Sequence, residues 1–567
     1  MTKLLRALAI ACGGLLPTLP VWLRRMPDSG DAVFHAMWYA NFARQFFAGE
    51  VYPRWLSEMN GGLGSPVFFF YAPLPYYLTL LFTPFLSSGA YGLRHLGASV
   101  SLAVVLSGFA AYLWLKKITS ENAAAVASIL YMLMPYHLGI DLYVRVAFAE
   151  LWAFVWMPLI LYCVMLIQDG RVRFAVAGLA LSYAALIMTH LPSVLIFSSI
   201  PPAFALFATG AGRRQRAAIL TVAGMLLGTA LAAVYLIPAM WTQDHVSMLD
   251  MQAIRYGDRW LQFPQFNLSD IEAQLSWAAL TTFGLLACAL ALLRGDEEAG
   301  DARRRQKTFW LAVAAASVLL MTPASNFVWR LFTPLQSIQF PWRFNAVLCL
   351  ATTVLAALAL RSRGRPRGAL KVFALAVACL IVSSWVAFTI WRAAPAMRMG
   401  RGEPGDVARK RLSESRDAPE YRPALAASTQ EHAFEELLER ICKTGDARAR
   451  VCPVEGTGSF DVEHWTPREI ALRVETARGV TFNVSQFYYP GWTAYADGRA
   501  HPLAPSQPDG LLQLALPPGA HRLTLRLEPT PHESVGQLVS ASSVIFLLVW
   551  LAAGKWLGRK AQAASEP

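Results

Sequence analysis

Long apolar stretches dominate this sequence and constrain its fold more than any other feature. Twelve of them have about the 17 to 25 residues that an α-helix needs to cross the hydrocarbon core of a bilayer. They cover residues 4–23, 97–115, 121–138, 151–168, 174–190, 192–210, 217–238, 275–294, 308–322, 344–360, 369–391 and 537–557. Because 55% of the residues are hydrophobic and 15% are charged, we predict a polytopic α-helical membrane protein.

A thirteenth apolar stretch, Pro66 to Leu86, contains Pro73, Pro75 and Pro84. If it crossed the membrane, the basic loops would fall on alternating sides, against the preference of Lys and Arg for the cytoplasmic side. If it is a re-entrant or interfacial helix and the N-terminus lies inside, every strongly basic loop is cytoplasmic. We therefore predict about twelve crossings of the inner (cytoplasmic) membrane and one element that does not cross.

The polar part of the chain predicts a second domain on the extracytoplasmic side. Short alternating runs separated by turn residues indicate an antiparallel, β-sandwich-like fold. The predicted divisions are a transmembrane domain at 1–391 with a first extracytoplasmic loop at 24–66, a linker with one short helix at 392–455, the β domain at 456–535, and a last transmembrane helix with a cytoplasmic tail at 536–567.

Two of the seven cysteines, Cys442 and Cys452, lie close together in this polar region. Thiols that face an oxidising compartment form disulfides. Cys442 and Cys452 are therefore a candidate disulfide if the segment is extracytoplasmic.

The first extracytoplasmic loop carries Asp28, Asp31 and His35. Aromatic residues at a spacing of four predict that 32–47 is an amphipathic helix at the interface, with Asp31 near its N-cap. Asp31 then either caps the helix or acts as a general base beside the lipid headgroups. His35 would orient the carboxylate or share a weak metal site with it. No cofactor is certain, and a divalent metal stays open.

Further candidates come from loops on the same side. Arg54 and Tyr71 flank a glycine-rich path, and Arg54 would either hold a phosphate or anchor the loop at the headgroups. Asp141, Arg145 and Glu150 would either bind substrate or form an internal ion-pair set, because buried charges are usually paired.

The last candidates are His190, Trp342 and Arg343. His190 is either a substrate contact or a satisfied core histidine. Trp342 and Arg343 would bind an anionic lipid head or a sugar ring, or would anchor the chain at the interface. Ionisable residues lie mainly at the outer ends of the predicted helices, which favours a site at the membrane surface.

Several long stretches carry a family resemblance: "GDAVFHAMWYANFARQFFAGEVYPRWLSEMNGGLGSPVFFFYAPLPYYL", "YVRVAFAELWAFVWMPL", "THLPSVL" and "IQFPWRF". They resemble bacterial membrane proteins of the 6-pyruvoyl-tetrahydropterin-synthase-related group, which are akin to YfhO-like proteins. The later "FYYPGWTAYADGRAHPL" resembles the YfhO-like extracytoplasmic β domain. The whole architecture is similar to the GT-C glycosyltransferase superfamily.

This resemblance implies a membrane glycosyltransferase with a polyprenyl-phosphate-linked sugar as donor and an extracytoplasmic glycan, lipid or protein as acceptor. Asp31, or less well Asp28, matches the superfamily's loop carboxylate. A polyprenyl phosphate is a good leaving group, so one carboxylate base suffices for inverting displacement. Arg54, Arg145 or Arg343 would stabilise the charge that develops on the phosphate.

Two other classes of function remain open on the sequence. A lipid-linked glycan flippase or transporter would need polar residues along a path through the bilayer, whereas the predicted helix cores are apolar. A non-enzymatic envelope assembly factor would use the β domain to bind glycan or a protein partner. No feature indicates binding of nucleic acid.

Overall fold

The computed structural model describes residues 2–24, 31–87, 92–208, 214–246, 255–261, 271–293, 300–360, 368–393, 418–426 and 450–563. The α-helices are α1 (Lys3–Arg24), α2 (Ala32–Phe47), α3 (Met59–Gly62), α4 (Val67–Phe70), α5 (Leu74–Leu80), α6 (Leu93–Leu115), α7 (Glu121–Leu133), α8 (Phe148–Gln168), α9 (Val172–Ile187), α10 (Leu191–Phe197), α11 (Ile200–Ala203), α12 (Arg214–Leu231), α13 (Ala233–Trp241), α14 (Ile271–Leu293), α15 (Asp301–Leu320), α16 (Asn326–Leu331), α17 (Asn345–Leu360), α18 (Gly368–Ala393) and α19 (Pro531–Ala563). The strands are β1 (Val451–Gly456), β2 (Ser459–Trp465), β3 (Glu469–Thr476), β4 (Val480–Phe487), β5 (Trp492–Ala496), β6 (Arg499–His501), β7 (Ala504–Pro505), β8 (Leu511–Leu516) and β9 (Gly519–Leu527).

The predicted polytopic, mostly helical fold is confirmed. In the part of the chain that the structure describes, eight helices are long and apolar enough to cross a membrane, or ten if each of two bent helix pairs forms one span. Two shorter apolar helices, Val172–Ile187 and Ala376–Trp391, accompany them. Together these elements overlap all twelve stretches identified in the sequence.

The stretch from Pro66 to Leu86 forms only the short helices α4 and α5, followed by turns. Neither helix approaches the length that a bilayer crossing requires. The start of α5 is fixed to the bundle, since the amide of Leu74 donates to the carbonyl of Met188 at 2.9 Å. The stretch is therefore a broken, non-crossing element packed against protein.

A sharp break separates α12 from α13, where the sequence predicted one continuous helix. The two helices meet at 71°. Pro238 lies inside α13 and has no amide to donate to Val234, four residues earlier. The freed carbonyl of Val234 instead accepts from Nη2 of Arg54 at 2.7 Å.

The C-terminal helix α19 supplies hydrogen-bond partners for the other backbone groups at this break. The hydroxyl of Ser540 accepts from the amide of Val234 at 2.8 Å and donates to the carbonyl of Leu231 at 2.9 Å. At the start of α19, Thr530 and Glu533 form a reciprocal capping box. Glu533 also pairs with the guanidinium of Arg54, so the first loop, α13 and α19 are joined at one point.

The β domain is a sandwich of two antiparallel sheets, with strand orders β1-β4-β8-β7 and β2-β3-β9-β5-β6. Inward residues of both sheets, such as Phe482, Leu512 and Leu523, are fully buried. The first strand begins at Val451 and α19 begins at Pro531. The folded domain therefore starts and ends about five residues earlier than the divisions expected from the sequence.

The first loop completes the core of the β domain. Trp55 is fully buried; its Nε1 donates to Gln486 at 2.7 Å, and its ring lies 5.8 Å from that of Tyr489. The amide of Phe487 donates to the carbonyl of Leu63 at 2.7 Å. Gly64 has a φ of 88°, and a Cβ there would lie 2.3 Å from Trp55. The aromatic residues of "FYYPGW" thus seat the domain on this loop.

The predicted linker helix at 431–443 and Cys442 lie outside the described residues. Cys452 is exposed on β1. The disulfide between Cys442 and Cys452 stays a prediction.

We predict that Ser540→Ala lowers the free energy of unfolding by about 1 kcal/mol, because it leaves the half-buried amide of Val234 without its acceptor. Thermal unfolding in detergent measures this. Ser543→Ala is the matched control, since that hydroxyl donates only to Val539 in its own helix. Equal melting temperatures for the two variants would contradict the role given to Ser540.

A candidate active site at one end of the helix bundle

A ten-residue π-helix, Pro135–Val144, connects α7 to the turn before α8. Pro135 cannot continue α7, and Met134 before it has the extended ψ of 138° that a following proline favours. π-Helical segments are rare and occur frequently at functional sites. This one buries Asp141 completely.

Four charged residues meet at the C-terminal end of the π-helix: Asp141, Arg145, Glu150 and Arg343. We call them the arginine–carboxylate cluster. Nη1 of Arg145 donates to Oδ1 of Asp141 at 3.2 Å and to Oε2 of Glu150 at 3.1 Å. Nε of Arg343 lies 3.8 Å from the same oxygen of Glu150. Both carboxylates are at most 1% exposed, so each charge requires the opposite charge beside it.

Neighbouring side chains fix the orientation of the cluster. The hydroxyl of Tyr136 donates to Oε1 of Glu150 at 2.8 Å. Arg145 stacks on Trp342, with Cζ 4.7 Å from the ring centroid. Nη1 of Arg343 donates to the carbonyl of Ile338 at 2.8 Å, while its Nε has no hydrogen-bond partner among the described residues. These contacts hold both guanidinium groups in defined positions.

Strained backbone flanks both arginines. Val146, directly after Arg145, has a φ of 55°, and Gln339, shortly before Arg343, has a φ of 65°. Left-handed conformations are rare for residues other than glycine, above all for a β-branched one. Such strain persists only where surrounding contacts impose it, and it concentrates at functional sites.

Asp31 begins α2 at the edge of the cluster. Its amide donates to the carbonyl of Arg145 at 2.9 Å, and its carbonyl accepts from the amide of His35 at 3.1 Å. The side chain is exposed and makes no capping hydrogen bond. Within the described ranges its carboxylate has neither a hydrogen bond nor an ion pair, so it is available to a substrate. Asp28 lies outside those ranges.

Two histidines border the site as neutral groups. His35 is buried and its Nδ1 lies 2.7 Å from the hydroxyl of Tyr76. Loss of hydration lowers the pKa of His35 to about 4, although Asp31 opposes this shift. Burial likewise lowers the pKa of His190 to about 3, and its Nδ1 lies 2.8 Å from Ser193 Oγ. Both imidazoles are therefore uncharged near pH 7.

An aromatic wall continues from Asp31 along α2. His35 and Trp38 follow at helical spacing and therefore share one face with Asp31. The ring of Trp38 lies 4.8 Å from Tyr71 and 5.6 Å from Tyr421, and the two tyrosine rings are 6.0 Å apart. Burial raises the pKa of Tyr71, which keeps it a neutral phenol.

Most of the residues singled out in the sequence meet here, and one does not. Asp31, His35, Tyr71, His190, Trp342 and the whole arginine–carboxylate cluster adjoin one another. Arg54 instead pairs with Glu533 and the carbonyl of Val234. Tyr136 and Tyr421 were not identified from the sequence, since both reach the site through tertiary contacts.

In the residues that the structure describes, no group of three or more His, Cys, Asp or Glu side chains converges as metal ligands. Nδ1 of His35 is already bonded to Tyr76.

One sequence family matches residues 68–391, more than half of the chain; its description is the 6-pyruvoyl-tetrahydropterin synthase related domain, a membrane protein. The matched range contains the arginine–carboxylate cluster, begins after Asp31 and ends before the β domain. No protein with a curated description matches the sequence.

Solved structures are distantly similar. The crystal structure of the Archaeoglobus fulgidus oligosaccharyltransferase in the apo form has 14% identity and a TM-score of 0.39, covering 74% of this chain and 61% of that chain. The cryo-EM structure of arabinofuranosyltransferase AftD from Mycobacteria has 13% identity and a TM-score of 0.45, covering 94% of this chain and 40% of that chain. This chain thus spans less than two thirds of either protein. Likeness at this level carries no argument about activity.

We predict that Glu150→Gln destabilises the fold by about 3 to 5 kcal/mol, because Arg145 and Arg343 lose the charge that they share in a buried site. Thermal unfolding in detergent measures the loss. Glu121→Gln is the control: Glu121 pairs with Arg6 but is 49% exposed, so its loss costs under about 1 kcal/mol. Similar melting temperatures for both variants would show that Arg145 and Arg343 do not need the negative charge of Glu150.

We also predict an acid-sensitive fold. The pKa of His35 is about 4 in the fold and about 6.5 when unfolded. The unfolded chain therefore binds more protons in this window, and stability falls as the pH drops from about 6.5 to about 4. His35→Gln should make the fall in melting temperature over this range smaller, with the contribution of His190 remaining, whereas replacement of an exposed histidine, His464→Gln, should leave it unchanged. If the melting temperature of His35→Gln fell with pH as steeply as that of the wild type, His35 would not be a buried, neutral histidine.

Proposed function

The chain belongs to the family of membrane proteins with the 6-pyruvoyl-tetrahydropterin synthase related domain, and on this premise we propose that it is a membrane glycosyltransferase. The match agrees with the family inferred from the quoted motifs. In this proposal a sugar moves from a polyprenyl-phosphate donor to an extracytoplasmic glycan, lipid or protein acceptor, with inversion at the anomeric carbon.

One observation carries the proposal: the exposed carboxylate of Asp31 lies near the buried guanidinium of Arg145, which shares Glu150 with Arg343. The amide of Asp31 donates to the carbonyl of Arg145 at 2.9 Å, so the main chains that carry the base and this cation are held together. Group transfer from a phosphate needs these two kinds of group at one place, a base for the acceptor and positive charge for the leaving group.

The distribution of charge supports an extracytoplasmic site. Ten basic residues lie in connections or in the first two turns of helices at the other end of the bundle: Lys116, Lys117, Arg171, Arg173, Arg214, Arg216, Arg303, Arg304, Arg305 and Lys307. Because positive loops remain in the cytoplasm, Asp31 and the β domain would face outward from the inner membrane.

The reaction begins at the acceptor hydroxyl. Asp31 accepts its proton as the oxygen attacks the anomeric carbon of the donor sugar. The bond between that carbon and the phosphate oxygen breaks, and its electron pair leaves with the lipid phosphate. His35, with its lowered pKa, remains neutral and shapes the wall beside Asp31 rather than taking the proton.

The arginine–carboxylate cluster would receive the phosphate. Arg145 and Arg343 offer charge that grows more valuable as negative charge develops on the leaving group. Glu150 and Asp141 hold the guanidinium groups in place before substrate arrives, so little reorganisation is needed. Arg54 is not assigned to this role, since Glu533 and Val234 occupy its donors.

The aromatic wall would position the sugar. Tyr71 and Tyr421 are partly exposed beside the buried Trp38, and sugar rings stack on aromatic faces. Tyr421 lies in the segment 418–426, in which the amide of Ala424 donates to the carbonyl of His245. The wall is thus assembled from three distant parts of the chain.

We predict that Asp31→Asn abolishes transfer while the melting temperature stays near that of the wild type, because the side chain is exposed and bonds to nothing that the structure describes. Liposomes containing the purified protein are supplied with radiolabelled polyprenyl-phosphate sugars and candidate acceptors, with and without a chelator. Removal of a general base costs about 10²- to 10⁴-fold.

Asp31→Glu is the matched control and should keep part of the activity, because it retains a carboxylate. Retained transfer in Asp31→Asn would move the base to another residue. If a donor binds but no variant, including the wild type, turns it over, the protein is a lipid-linked glycan transporter or an assembly factor instead.

A further inference from the structure

A second site lies at the other end of α15 from the arginine–carboxylate cluster. The chain leaves the C-terminal end of α15 toward Arg343, whereas Arg304 and Arg305 are in its first turns. The rise of an α-helix places those turns about 24 Å from the C-terminal end of α15. Nothing in the proposed transfer reaction uses this region.

A groove of about 630 Å³ opens there. Its walls are mainly apolar, and its rim is basic and polar; the lining residues are Phe207, Arg304, Arg305, Thr308, Phe309, Ala312, Val313 and Ala316. On α15, Arg305, Phe309, Ala312 and Ala316 follow one another at helical spacing and share one face. The two alanines leave the space between the flanking aromatic rings.

Tertiary contacts create the groove. Nε2 of Gln306 donates to the carbonyl of Ala208 at 2.9 Å, which fixes α15 beside the turn that carries Phe207. Nη2 of Arg303 donates to the carbonyl of Leu358 at 2.6 Å, so this arginine is committed to α17. Its two successors, Arg304 and Arg305, line the groove.

The rim carries two guanidinium groups, those of Arg304 and Arg305. Nε of Arg305 is buried and has no hydrogen-bond partner among the described residues. Within the described ranges no hydrogen bond or ion pair engages the other nitrogens of this guanidinium, so an anion that enters the groove would be their acceptor. Arg304, which is exposed, adds a second guanidinium at the same rim, and arginine binds phosphate through paired hydrogen bonds.

We propose that this groove binds an anionic phospholipid of the leaflet opposite the candidate active site. The phosphate lies between Arg304 and Arg305, and one acyl chain fills the channel along Ala312 and Ala316. The order of groups along α15, cationic and hydroxyl side chains followed by apolar ones, matches the order of headgroup and chain in a bilayer. The lipid would hold α15 at a fixed depth.

The test uses the full-length protein in detergent, titrated with phosphatidylglycerol or phosphatidylcholine and read by native mass spectrometry. Wild type should bind phosphatidylglycerol more tightly. Arg304→Gln with Arg305→Gln should weaken that binding roughly thirtyfold, since each basic group at an anionic surface contributes about 1 kcal/mol and about 1.4 kcal/mol is tenfold.

Two further variants distinguish lipid binding in the groove from non-specific attraction of anionic lipids to basic residues. Ala316→Phe keeps every charge but fills part of the groove with a larger side chain. Because Ala316 is exposed, the fold should accept this change, and lipid binding should fall as much as in the double arginine variant. Arg216→Gln is the control, because Arg216 is exposed and does not line the groove. Equal loss in Arg216→Gln, no loss in Ala316→Phe, or equal affinity for the two lipids would each overturn the proposal.

Discussion

The arrangement of the candidate site depends on the interactions of one buried carboxylate, that of Glu150. It accepts from Tyr136 and Arg145 and lies beside Arg343, so it joins the π-helix, the start of α8 and the turn before α17. An unpaired charge buried in a helix bundle is very costly. The strained turns at Val146 and Gln339 persist because this network holds both ends of each turn.

A second constraint comes from broken helices, since backbone groups freed within a membrane protein must find other partners. Pro238 frees the carbonyl of Val234 for Arg54, and Ser540 bonds across the gap between α12 and α13. Because Arg54 also holds Glu533, this repair connects the first loop to α19. Trp55, the next residue, enters the core of the β domain. The loop that contributes Asp31 is therefore anchored on both the bundle and the β domain.

The candidate site was partly readable from the sequence. Asp141, Arg145 and Glu150 lie within ten residues, so their mutual pairing followed from short spacing and the cost of burying charge. Arg343 was placed only on the same side of the membrane, and its contact with Glu150 depends on how α15 and α17 pack. For Arg54 the sequence left phosphate binding and anchoring at the headgroups open, because its partner Glu533 is hundreds of residues away and no local pattern indicates that pair. Tyr421 was missed for the same reason.

The sequence by itself determined the elements whose signal is local. Apolar length predicted the twelve helical stretches, and alternation predicted β3, β4, β5, β8 and β9. Only the tertiary structure decided the bends, the π-helix, and the exposed first strand β1, whose pattern of one buried and five exposed residues lacks alternation. The physical reason is that apolar periodicity reports which residues avoid water, whereas hydrogen bonds and ion pairs between distant segments decide where a helix breaks and which charges meet.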